Sequence, residues 1–293
     1  MKECYTFTIV AGNYSCNNKC PFCISKMTPA FFLPDKFDLI KFDKAIKIAE
    51  KYNANNVLIT GKGEPTLFPH QIKEILTFLK NKSFARIELQ TDGFTLLNNP
   101  RYKEYLESWR ILGLDLVAIS TYHYKLEKNM EIFGNDLVLP LKYMIEKYKS
   151  LDLNIRLSCL LLEGYLDCIY EVENMIKFAK KQDVMQLTFR NIGKPENITF
   201  LPNKYADAVD KYTPKGHFKN SFGEDLVEWF DQNAKLIDVL PHGARIYEYL
   251  KQNVCLTDCL TEDFGKEKIR QLIFYPNGWL CTSWEYPYGS RIL

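Results

Sequence analysis

The sequence lacks the features that mark a membrane-spanning, secreted or polyanion-binding protein. No apolar run approaches the roughly 20 residues a membrane helix needs. The first residues, MKECYTFTIVAGNYSC, are too polar for a signal peptide and offer no small-residue cleavage site. No sign of charge dominates: 38 Lys and Arg face 36 Asp and Glu, a net charge of +2. That balance gives no electrostatic case for nucleic acid or a membrane surface as main partner. Low-complexity stretches, long charge runs and tandem repeats are all missing, which excludes a repeat architecture. Histidine is scarce, four in 293 residues, and each is isolated. A cytoplasmic protein is expected, built as one large domain or a large domain with an appendage.

What is present is an alternation of short apolar runs with amphipathic ones. Thr6–Ala11, Asn56–Thr60, Arg86–Gln90, Leu116–Ser120, Asn154–Leu161 and Met185–Arg190 are rich in Val, Ile, Leu or Thr and read as strands. Between them DKAIKIAEKY, HQIKEILTFLKN, YKEYLESWRIL, PLKYMIEKYKS and YEVENMIKFAKK repeat apolar residues at helical spacing. Crossovers of that length imply parallel strands with right-handed connections. Six such units make an α/β fold, a partial (β/α)6 TIM-like barrel whose site lies at the C-terminal ends of the strands.

Beyond Gly193 the pattern changes. Residues 194–223 carry Pro195, Pro202 and Pro214 and read as loop; a helix near Asp225–Gln232 and a strand-like KLIDVL follow. The end, RQLIFYPNGWLCTSW, reads as a β-hairpin around Pro276-Asn277-Gly278. The expected division is a core at 1–195 and a smaller α+β extension at 196–293, closing over the barrel mouth.

Nine cysteines, an odd number, argue against a disulfide framework in a reducing compartment. Cys16, Cys20 and Cys23 lie in a loop just after the first strand. Three close thiolates with no fourth nearby would leave one iron of a [4Fe–4S] cubane open to a small chelator. The same spacing also suits a zinc knuckle, although no fourth Cys or His follows before His70.

The Cys16-x3-Cys20-x2-Cys23 run, with aromatic Phe22 before the last cysteine, resembles the signature of the radical S-adenosylmethionine (SAM) superfamily. The resemblance extends over about residues 5–192. It implies a [4Fe–4S] cluster that cleaves SAM reductively, giving a 5′-deoxyadenosyl radical that abstracts hydrogen from a substrate. It also implies roles for later residues. Phe22 would lie near the adenine. Gly61, Gly63 and Glu64, in Gly61-Lys62-Gly63-Glu64-Pro65, resemble the family's Gly-Gly-Glu-Pro motif, which meets SAM's methionine amino group; Lys62 splits the two glycines. Thr91, in Thr91-Asp92-Gly93, stands where the family has Thr-Asn-Gly. Ser120, Arg156, Ser158 and Arg190 fall at successive strand ends where the family contacts SAM, Arg156 being suited to a carboxylate.

Cys255, Cys259 and Cys281 resemble the ligands of a second cluster in a twitch-like extension, at looser spacing than the family's. Cys4, Cys159 and Cys168 read as packing residues. His123 is the one histidine placed to face the barrel mouth, although a structural role is commoner for such a residue. The tail from Trp284 to Tyr288 is a candidate cover. The expected substrate is a small molecule: a nucleotide, cofactor or natural-product precursor. The expected electron donor is of the flavodoxin or ferredoxin kind. A peptide-modifying enzyme is the second reading, although no leader-binding domain precedes the first strand. A non-catalytic zinc or iron–sulfur protein is the third.

Overall fold

The computed structural model describes residues 3–195, 203–214, 224–240, 242–258 and 268–293. The alternation is present. β1 (Glu3–Val10), β2 (Asn56–Thr60), β3 (Arg86–Thr91), β4 (Leu116–Thr121), β5 (Asn154–Leu161) and β6 (Gln186–Asn191) pair in parallel in sequence order. Between them run α1 (Leu39–Lys51), α2 (Pro69–Leu79), α3 (Phe94–Leu97), α4 (Tyr102–Ile111), α5 (Leu126–Phe133), α6 (Leu141–Lys149) and α7 (Ile169–Lys181). The remainder comprises α8 (Lys204–Tyr212), α9 (Glu224–Asn233), β7 (Lys235–Val239), β8 (Arg245–Tyr249), β9 (Gln252–Asp258), β10 (Lys268–Phe274) and β11 (Leu280–Cys281).

Helix α1 shows how the local sequence decides the packing. Asp38 caps it by accepting the Lys41 N–H at 3.0 Å. Phe42, Ala45, Ile46 and Ala49 then recur at helical spacing and are fully buried. Phe42 stacks on Phe7 of β1, with ring centroids 6.2 Å apart. Every barrel strand divides its side chains in this way. Phe7, Ile9, Val57, Ile59, Leu89, Ile119, Leu157 and Phe189 face the helices and form the main core. The alternate residues line the concave side and are mostly polar.

The C-terminal residues extend the same sheet. β10 pairs in parallel with β1, and β9 in parallel with β6, so eight adjacent strands are parallel. β9 and β10 do not pair with each other, so the barrel stays open. β8 and β7 continue antiparallel from β9. The hairpin is present as β10–β11: Tyr275 N–H donates to Trp279 O, and Gly278 turns at φ +82°.

One local expectation needs correction. Residues 204–212 form α8 rather than loop. The flanking prolines obscured a short helix that Asn203 caps on the Tyr205 N–H at 3.0 Å and that buries Ala206 and Val209. Cys255 lies inside β9. Parts of the extension on which closure of the mouth would depend, residues 196–202, 215–223, 241 and 259–267, lie outside the described residues. Among the described residues, no helix is long and apolar enough to cross a membrane.

Candidate active site

The site begins where the chain leaves β1. Gly12 turns at φ +74°, and a Cβ there would stand 2.1 Å from the Phe68 ring. Its N–H is held by Gln71 Oε1 at 2.7 Å. The cysteine loop that follows is pinned by the ends of three neighbouring strands. After β2, Glu64 N–H donates to Ser15 O at 2.9 Å. Gly63 makes that approach feasible, since a Cβ there would fall 2.0 Å from Ser15 O. After β3, Asp92 accepts from Asn18 Nδ2 at 2.8 Å. After β4, the Tyr122 hydroxyl donates to Cys20 Sγ at 3.3 Å, and Lys19 N–H donates to Phe133 O at the end of α5. Cys16 is exposed; Cys20 and Cys23 are half-buried. Burial pushes the Cys20 thiol up to about 12, so metal binding there must displace a proton.

Next to the loop lies a buried carboxyl pair. Glu64 Oε1 accepts from Thr66 N–H at 3.0 Å, Thr66 Oγ1 at 2.6 Å and Thr91 Oγ1 at 2.6 Å; Oε2 accepts from Asp92 N–H at 3.0 Å. Asp92 accepts from Thr95 N–H, Thr95 Oγ1 and Phe94 N–H. Burial, and for Glu64 the neighbouring Asp92, hold both carboxyls above the ordinary carboxylate range. A cation set against the pair would reverse that shift.

Lys62, which divides the glycines, is buried at 5% exposure. Its Nζ donates to Thr28 Oγ1 at 2.6 Å and lies 5.6 Å from the centre of the Trp284 ring. Burial pulls the ammonium down to about 8. Trp284 packs edge-on to Tyr275, while Trp279 and Tyr288 pack on Phe31, so the tail lies against the segment that follows the cysteines.

Below the loop, the concave face presents one level of small polar side chains. The register aligns Ser120 with Ser158, Ser158 with Thr188, and Thr188 with Cys255. Arg190 stands one step above, beside Thr257. Arg156 stands one step below and reaches over Ala118 of β4 to pair with Glu88 on β3. Its Nε is buried without a hydrogen-bond partner.

The structure thus brings Cys16, Cys20, Cys23, Gly61, Gly63, Glu64 and Thr91 to one end of the barrel. Ser120, Ser158 and Arg190 line the lumen beneath. Three of the expected residues have partners within the chain. Phe22 is buried edge-on between Tyr122 and Tyr212. Arg156 gives its guanidinium to Glu88. His123 turns outward to α7, with Nε2 3.5 Å from Glu171 Oε2 and Nδ1 accepting the Lys125 N–H. Burial holds its pKa below the ordinary value. Cys4 and Cys159 are buried, as read from the sequence.

Cys255 and Cys281 occupy separate surroundings. Cys281 Sγ donates to Pro287 O at 3.2 Å among Val10, Ile273 and Tyr275, while Cys255 lies near Arg156 and Arg190. Cys259 lies outside the described residues. Sequence reasoning missed the Asn18, Asp92 and Tyr122 contacts, which join residues 74 and 102 positions apart.

The donor set fits the iron–sulfur reading. Among the described residues, no three His, Cys, Asp or Glu side chains, the cysteine triad included, converge closely enough to share one ion. In a cubane each thiolate meets its own iron, so wider spacing suffices.

The model of the radical SAM superfamily matches residues 13–167, more than half of the chain, and the chain belongs to that superfamily. Members of that superfamily are enzymes whose cofactors are a [4Fe–4S] cluster and SAM. This chain is 25% identical over 217 residues to the uncharacterized protein MJ0804 of Methanocaldococcus jannaschii, covering 68% of each chain. Among solved structures, Streptococcus suis SuiB bound to its precursor peptide SuiA matches 98% of this chain and 61% of its own, with TM-score 0.62 and 12% identity. Methylornithine synthase (PylB) matches 76% of this chain and 60% of its own, with TM-score 0.51 and 15% identity. At such identities the likeness to solved structures is one of fold. The chain spans about three fifths of the length of these solved structures.

Proposed function

We propose that Cys16, Cys20 and Cys23 hold the cluster, and that Gly61, Gly63, Glu64 and Thr91 receive the methionine end of SAM. Ser120, Ser158 and Arg190 line the way to a small polar substrate in the barrel lumen. The observation that carries this reading is the Gly63–Ser15 contact. It sets the cysteine loop directly against a buried carboxyl pair suited to an ammonium group. With cluster and SAM bound, the pair supplies a 5′-deoxyadenosyl radical that abstracts a hydrogen atom from the substrate.

The chain's own residues position and shield. Glu64, Asp92 and Tyr122 fix the loop on three sides. Trp279, Trp284 and Tyr288 cover the segment beside it and exclude water. The level Ser120–Ser158–Thr188 offers hydroxyls for a substrate with hydrogen-bonding groups, and the partnerless Arg156 Nε adds a donor. We take residues 1–195 as the core, and 196–293 as an extension whose strands widen its sheet. We further place the enzyme in the cytoplasm, served by a low-potential one-electron donor of the flavodoxin or ferredoxin kind.

A second reading, a peptide substrate, draws on the match over 98% of this chain to a structure bound to a precursor peptide. Incubation with size fractions of a deuterated cell extract separates the two. Hydrogen abstraction carries deuterium into 5′-deoxyadenosine. Label from the low-mass fraction supports a small substrate. Label from the peptide fraction alone supports the second reading.

A further inference from the structure

Lys62 stands out as a buried cation with no carboxylate partner among the described residues. Burying an ammonium costs several kcal/mol unless an opposite charge compensates it. One hydroxyl, Thr28 Oγ1 at 2.6 Å, and the face of Trp284 do not supply that charge. Everything that holds Lys62 belongs to the cysteine loop or its cover. Its carbonyl accepts from Ser25 Oγ and its Nζ bonds Thr28; both residues lie on the turn that starts at Cys23, whose carbonyl accepts the Lys26 N–H at 3.0 Å. On its other side, Gly63 and Glu64 meet Ser15, next to Cys16. The backbone at Lys62 is therefore held between the two ends of the triad, and its ammonium lies on the Cys23 side, on Thr28.

We propose that Lys62 is the fixed counter-cation of the iron–sulfur cluster, holding its reduction potential up, with Trp284 keeping the ammonium in place. The proposal rests on the reading of Cys16, Cys20 and Cys23 as cluster ligands. Three thiolates give a cubane a net negative charge, and reduction adds another. A neighbouring cation favours the reduced form, and net charge is one of the levers that set such potentials. The glycine of a plain Gly-Gly-Glu-Pro motif would give the backbone approach without the charge.

The test is a reductive titration followed by electron paramagnetic resonance, at pH 7 and without SAM, with iron counted per chain. The samples are the parent protein, Lys62→Met and Lys62→Arg, all loaded anaerobically. The expected result is parental iron in each, a more negative midpoint in Lys62→Met, and a midpoint restored toward the parent's in Lys62→Arg. Should Lys62→Met fail to hold iron, Lys62→Gln carries the same comparison. A neutral variant with parental iron and parental midpoint overturns the proposal. So does a neutral variant that keeps its midpoint but binds SAM more weakly, which would make Lys62 a ligand contact. A parent chain that takes up no cubane overturns the cysteine assignment and this proposal together; a cubane indifferent to Lys62 overturns this proposal alone.

Discussion

Glu64 Oε2 accepts the backbone N–H of Asp92 at 3.0 Å, joining the end of β2 to the end of β3 with both carboxyls buried. This contact makes the loops after two strands one unit. It also sets two acids where neither ionises easily.

Stability should therefore depend on pH in a defined direction. The folded, cluster-free protein keeps a proton on the pair at pH values where the unfolded chain has lost it. The stabilisation is complete below the unfolded carboxylate pKa of about 4.3 and is lost as pH rises through the raised folded value. The thermal midpoint of cluster-free protein should fall between mildly acid and neutral pH, and Glu64→Gln should flatten that slope. An unchanged slope in the variant would place the titration elsewhere.

If SAM's ammonium settles against Glu64, binding should release part of a proton near neutral pH. Calorimetry in buffers of different ionisation enthalpy reads this directly. Parent protein should show a buffer-dependent heat, and Glu64→Gln should show little, with SAM affinity at least tenfold weaker, a loss of about 1.4 kcal/mol.

Gly63→Ala tests the backbone contact. Its Cβ would meet Ser15 O at 2.0 Å, so the cysteine loop must move. Overpacking of this kind costs about 1–3 kcal/mol. The variant should also take up less iron than the parent after anaerobic loading. Full iron at parental stability would show that the loop gives way without consequence.

Asn129 carries the turn after β4. Its Oδ1 accepts from Thr121 Oγ1, Tyr122 N–H and His123 N–H, and its Nδ2 donates to His123 O and Lys125 O. Asn129→Ala leaves several of these groups buried without partners, at about 1–3 kcal/mol each. Denaturant unfolding should show a loss of about 3 kcal/mol or more. A loss below about 1 kcal/mol would mean that water or neighbours replace the amide.

The number of clusters follows from one variant. With Cys16, Cys20 and Cys23 all changed to Ala, a folded chain should hold essentially no iron, because Cys255 and Cys281 lie in different surroundings. About four irons in that variant would show a second cubane.

Much of the barrel was legible because period-two and helical patterns are local. Phe7 and Ile9 had to face helices, and Phe42 through Ala49 had to face strands. The cysteine triad was legible for the same reason. What escaped is what depends on neighbours far along the chain. Glu88 meets Arg156 across an intervening strand, 68 residues away, so a guanidinium expected at the mouth lies deep in the lumen. His123 escaped because Asn129 bends the backbone just after β4, and strand alternation no longer tells which way a side chain points. Cys255 stood out by its spacing, but its place in β9, level with Thr188, shows only in the strand pairing. Lys62 looked like an interruption of a glycine motif; its burial under Trp284 is visible only once the tail has folded back.

The most direct test of the account is 5′-deoxyadenosine formation from SAM by anaerobically reduced protein, compared with the triple alanine variant of Cys16, Cys20 and Cys23. The account predicts 5′-deoxyadenosine from the parent and none above background from the variant. Equal amounts from both, or none from a parent loaded with about four irons, would contradict it.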